Sequence, residues 1–121
     1  MFTNITLVKN TLNIKNTPDL VITTAISEAE SRLARLLDSD TLGDTDLQQE
    51  LISAETYLAC YYLLPKISLN EGDKGLSKTI GWQGDNASNL VSEQDITQRM
   101  AYYYSQAMDI ITTIVPMMID I

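Results

Sequence analysis

The chain has 121 residues, enough for one domain, and is 45% hydrophobic and 20% charged, a globular composition that excludes a disordered chain. Lys plus Arg number 8 against 16 Asp plus Glu, and the net charge of −8 disfavours adhesion to phosphate backbones and anionic lipid. With no histidine and one cysteine, the chain lacks the usual acid–base residue at neutral pH, the commonest metal ligand, an internal disulfide and a Cys-rich zinc site, so neither an enzyme nor a cofactor is expected.

Residues 1–12 have no basic n-region and no long apolar h-region, which predicts no secretory leader. The longest apolar run, residues 57–64, is far short of the ~20 residues that span a bilayer. A soluble protein made in a reducing cytoplasm is expected. Residues 3–12 read as a short amphipathic helix capped by Thr3 or Asn4, with Ile5, Val8 and Leu12 on one face; a strand is the alternative. Thr17-Pro18-Asp19 predicts a helix start, with Thr17 as cap, Pro18 at the first helical position and Asp19 at the positive end of the dipole. Val21, Ala25, Ala29, Leu33, Leu36 and Leu37 form the apolar stripe of a helix over 18–38, and Glu28 and Arg32 form an i,i+4 pair on its outer face.

A short connector over 38–44 leads to Thr45-Asp46-Leu47-Gln48, which fits a capping box. Leu47, Leu51, Ala54, Leu58 and Tyr61 then mark a third helix, predicted to stop at Leu64 because Pro65 cannot continue it. The short connector predicts that these two helices pack as an antiparallel hairpin. Residues 66–91 break the period and hold Gly72, Gly75, Gly81 and Gly84; alternation from Leu76 to Trp82 allows a short β-hairpin there. Ser92-Glu93-Gln94-Asp95 restarts a helix whose stripe is Ile96, Met100, Tyr103, Ala107, Ile110 and Ile114, up to Pro116. The pattern predicts a mainly all-α fold: a small helical bundle with main helices near 18–38, 45–64 and 92–115, and a long Gly-rich loop. It forms one domain over 1–115, followed by an apolar tail over 116–121. Leu33, Leu37, Leu51, Leu58, Met100 and Ile110 are its expected core.

Chemical sites are weaker. Asp38, Asp40 and Gly43 stand where positions one, three and six of a calcium loop would be. Leu42 at five and Gln49 at twelve supply no ligand, and capping explains the aspartates better. Cys60 lies in an apolar stretch and reads as a buried thiol. Glu28, Glu55 and Asp109 are carboxylates on predicted helices, but the Glu-x-x-His pairs of di-metal bundles are absent. The aromatics say more. Tyr61-Tyr62 and Tyr102-Tyr103-Tyr104 cover more than one helix face, which fits either core packing or a subunit interface.

In order, the chain reads as a short helix, a helical hairpin, a Gly-rich insertion, a last helix and an apolar tail. Val8-Lys9-x-x-Leu12-x-Ile14 within residues 5–14, then Asp19-Leu20-Val21-Ile22 with Ala25 and Glu28 to Leu33, then the Gly75-Leu76-Ser77-Lys78-Thr79-Ile80-Gly81 insertion carry a resemblance. Together they are similar to the head–tail connector (adaptor) proteins of tailed bacteriophages, the group whose copies ring the portal. The resemblance implies a structural protein of the virion neck. It implies partners in the portal protein and the next neck or tail component, a homo-oligomeric ring of about twelve copies, and a channel through which DNA passes without specific binding. It implies no membrane partner. On this reading Met117, Met118, Ile119 and Ile121 would contact the portal, Leu76, Ile80 and Trp82 would form a loop contact, and Tyr102, Tyr103 and Tyr104 would line the subunit interface. The alternative is a small acidic helical interaction module of the cytoplasm, a regulator or chaperone-like protein that binds one partner in a groove.

Overall fold

The computed structural model describes residues 2–69 and 93–118. Asn4 is in extended backbone and its side chain accepts from Leu7 N at 2.9 Å, which starts α1 (Ile5–Leu12). Of the two expected caps it is therefore Asn4 that serves, while Thr3 is buried. Asn13 stops the helix at a φ of 60°, the left-handed region that asparagine tolerates better than most residues.

α2 (Asp19–Leu36) begins one residue later than expected. Pro18, not Thr17, occupies the cap position, in extended backbone and with no side-chain cap bond. The Pro18 carbonyl accepts from Val21 N at 3.0 Å and Ile22 N at 3.3 Å, so backbone bonds close the first turn. Asp38 then caps α3 (Ser39–Leu42) by accepting from Thr41 N at 2.8 Å. The predicted capping box shifts upstream in the same way. Asp44 accepts from Asp46 N at 2.9 Å and opens a 3-10 turn at Thr45–Leu47, while Gln48 Nε2 donates back to the Asp44 carbonyl at 3.1 Å. In this connector an aspartate precedes each turn and supplies the acceptor.

Two prolines expected to end helices do not. α4 (Gln48–Leu69) runs through Pro65. A proline removes one backbone donor and crowds the preceding turn, but neighbours can outweigh that cost. Beyond Pro65, Ile67 is buried and Lys66 Nζ reaches Glu28 Oε1 on α2 at 2.8 Å, which anchors the last turn. α5 (Glu93–Met118) likewise continues past Pro116. Thr112 and Thr113 both donate their hydroxyls to the Asp109 carbonyl, back-bonding of a kind that bends helices one turn ahead of the proline ring. Met117 and Met118 are thus the last residues of α5 and not a separate tail, while Ile119 and Ile121 lie outside the described residues.

The elements form a helical bundle with no strand among the described residues, as the sequence pattern predicts. The hairpin expected within 76–82 lies outside those residues. α4 is the hub: α5 and α2 pack on it most extensively, and α1 packs on both α4 and α2. That position explains why α4 buries residues all round its circumference, among them Leu51, Leu58, Ala59, Leu63 and Leu64. Glu28 meets Lys66 well past the connector, as antiparallel packing of α2 on α4 requires.

Leu33, Leu37, Leu51 and Leu58 are buried as expected. Met100 and Ile110 are only partly buried, and Ile111 takes the inner position on α5. On α2 the buried stripe is Ile22, Ala25, Ile26, Ala29 and Leu33, one step round from the predicted Val21 and Leu36. Two apolar residues stand side by side at 21–22 and at 110–111, and the period alone cannot choose between them. Among the described residues no helix is long and apolar enough to cross a membrane.

Candidate functional site: the tyrosine seam

Three consecutive tyrosines on a helix are spread over about 200°, so they cannot share one environment. α5 presents them in three directions. Tyr103 turns inward, is 6% exposed and stacks on Tyr57 of α4 with centroids 6.1 Å apart and planes 25° apart. Tyr104 is half-buried and tilts against Tyr61 at 5.1 Å, which in turn meets Tyr62 edge-on at 5.0 Å. Tyr102 meets the edge of Tyr103 at 5.2 Å and is 55% exposed. All six tyrosines of the chain thus line one α4–α5 seam.

Of the expected interface residues, Tyr103 and Tyr104 are therefore engaged mainly within the chain. Tyr102 is the one that leaves most of its ring free. A cation closes the seam on the α2 side. Arg32 Nη2 donates to Tyr104 Oη at 3.1 Å, with the guanidinium carbon 5.9 Å from the ring centroid. The sequence pairs Arg32 with Glu28, but Glu28 is held by Lys66 and Arg32 turns to Tyr104. Neither partner is visible in local spacing, because they lie 72 and 38 residues away.

Burial favours the neutral form of each titratable group along the seam. Burial first, and then the neighbouring Cys60 thiol, push the Tyr103 phenol above its ordinary range. Burial pushes the Cys60 thiol up to about 12. At neutral pH the thiol is protonated and inaccessible, which gives a packing residue and not a nucleophile. Arg99, whose guanidinium lies near Tyr103, is held below its usual range by desolvation. It stays charged at neutral pH in any case.

A second polar cluster lies at the start of the chain, and the sequence gives no hint of it. Glu55 on α4 has no exposed surface. One oxygen, Oε1, accepts from Phe2 N at 2.6 Å and Thr3 N at 2.7 Å. Beside it Thr56 Oγ1 donates to the Ile52 carbonyl at 2.7 Å and pairs with the Thr3 hydroxyl at 2.6 Å. Of the three carboxylates noted in the sequence, Glu55 is committed to the backbone of residues 2–3 and Glu28 to Lys66, while Asp109 is exposed on α5. The three are not brought together. Asp38 and Asp44, the aspartates of the calcium-like stretch, each accept from a backbone N–H. The bond from Thr41 holds the Asp38 carboxyl below its usual range. Among the described residues no group of three or more acidic or cysteine side chains converges on a common point.

At the end of α5, Met117 and Met118 complete the helix, and the loop residues Leu76, Ile80 and Trp82 lie outside the described residues. The features described are a tyrosine seam with one outward ring and a buried glutamate bonded to the backbone of residues 2–3. Comparison with protein-family models, with curated proteins and with solved structures finds no match.

Proposed function

We propose that this chain is a structural, non-catalytic subunit of a phage virion neck: a head–tail connector that docks on the portal ring. There it extends the DNA channel and offers a platform to the next neck or tail component. About twelve copies would form the ring on that template. The observation that carries the reading is Tyr102, an aromatic ring more than half exposed on the same long helix that leads into the apolar Met117–Met118 end. Exposed tyrosine is the type of side chain that subunit contacts favour, with one end apolar and one end wet. The order of elements, a short helix, a hairpin and a long last helix, supports the reading through its likeness to the family's layout. The charge of −8 supports it too, since a duplex must slide through such a ring without sticking to it.

The test is capture by the cognate portal, with the full chain and with a version ending at Val115. The full chain is expected to bind and the shortened one to lose at least about tenfold in affinity, a loss of about 1.4 kcal/mol. Equal binding of the two would remove the α5 end from the portal contact. Binding by neither, with no copy of the chain in capsid preparations, would sink the connector reading and leave a helical interaction module in its place.

A further inference from the structure

Glu55 ties residues 2–3 to the middle of α4. Residues 2–3 lead into α1, and α1 lies on α4 and α2 through Val8 and Leu12. Ahead of α1, Phe2 packs against the core, and the polar ties are the two backbone N–H bonds to Glu55 Oε1 and the Thr56–Thr3 hydroxyl pair. The other carboxylate oxygen, Oε2, is fully buried and has no hydrogen-bond partner among the described residues. An ionised carboxylate spreads its charge over both oxygens. Burying one of them without a donor costs the desolvation of that charge. A protonated Glu55 keeps Oε1 as a carbonyl acceptor for both N–H groups and carries no charge on Oε2.

We propose that residues 2–12 form a strap whose hold on α4 is set by the proton on Glu55. The strap is tight when the carboxyl is protonated and looser when it is ionised. Releasing it would uncover the apolar faces that α1 and α4 share, so the proton controls access to that surface. Burial raises the affinity of this carboxyl for its proton, the Glu30 carboxylate on α2 adds to it, and the amino-terminal ammonium and the two backbone donors work against it. Burial is the largest of these influences and the direction is upward. A carboxyl that binds its proton more tightly when docked than when free stabilises the docked state at low pH. That stabilisation is complete below the ordinary glutamate range and is lost as pH rises through the raised docked value.

The experiment is hydrogen exchange of the amides of residues 2–12 in the full chain, at about pH 5 and about pH 8, corrected for intrinsic exchange. In the wild type, protection should fall as pH rises, by about tenfold for each pH unit by which the docked carboxyl lies above the free one. Glu55→Gln keeps an oxygen for both N–H groups and removes the charge, so its protection should be high and independent of pH. A control, Thr56→Val, should lower protection at both pH values and keep the wild-type slope, which separates loss of a contact from loss of the proton. A wild-type slope that persists in Glu55→Gln would overturn the proposal, as would a flat wild-type profile. If Glu55→Gln does not fold, carbon-detected NMR of the wild type decides. The Glu55 carboxyl must titrate above the ordinary glutamate value, and the Phe2 and Thr3 amides must shift with it; titration at the ordinary value would overturn the proposal.

Discussion

Leu58 has no exposed surface and sits midway along α4, the helix on which both α2 and α5 pack. Truncating it to alanine removes buried carbon and leaves a cavity that rigid neighbours fill only in part. Leu58→Ala should therefore lower stability by about 2–5 kcal/mol, read as a lower urea midpoint at an unchanged slope. A loss below about 0.5 kcal/mol would mean that the site is not the core position described. Leu33 was legible because it is an apolar residue flanked by Arg32 and Ala34 at helical spacing. Ile22 and Ile111 were not, since each stands next to a second apolar residue and only the packed partner helix selects between the two. Glu55 was the least legible of all. A lone glutamate on a helix reads as solvated, and the donors that bury it come from 52 and 53 residues away.

Helix ends show the same division at the next scale. Caps depend on near neighbours, and the sequence placed those of α1, α2 and the 3-10 turn within a residue; Asp38, Asp44 and Asn4 hold backbone N–H groups as short polar side chains do. Stops at Pro65 and Pro116 failed because a proline's local cost is set against tertiary contacts that spacing does not reveal. Pro65 makes the conflict measurable. An alanine there would restore the missing donor and relieve the crowding, a gain of up to about 3 kcal/mol in a helix interior. Against it stand about 0.4–1 kcal/mol of extra freedom in the unfolded chain. Any shift of the Lys66–Glu28 pair adds to that cost, but the pair is about one-third exposed and worth no more than about 1 kcal/mol. The first effect is the larger, so Pro65→Ala should stabilise the protein by about 1–2 kcal/mol in urea unfolding. A destabilised variant would show instead that Pro65 is needed to bring Lys66 to Glu28 and Ile67 into the core.

At the scale of the whole molecule, Tyr102 separates folding from assembly. Among the described residues its one ring–ring contact is with Tyr103, edge-on, and the residue is more than half exposed. Such a contact is worth about 0.5–1.5 kcal/mol, so Tyr102→Ala should move the unfolding midpoint only slightly. Tyr103→Ala, by contrast, empties a buried site stacked on Tyr57 and should cost about 3–5 kcal/mol, as other aromatic truncations in cores do. If Tyr102 packs against a neighbouring copy in the ring, its loss acts a second time, at every subunit contact. A well-packed interface tyrosine carries about 2 kcal/mol or more, which raises the concentration needed for each contact by about thirtyfold. In a closed ring of many such contacts the effect is compounded, so a variant that folds normally should still fail to form rings on the portal. The measurements are urea unfolding of the free chain beside electron microscopy of the portal complex. Rings from Tyr102→Ala at wild-type concentrations would place the subunit contact elsewhere. A large loss of stability would show that Tyr102 belongs to the fold and is not left over for a partner.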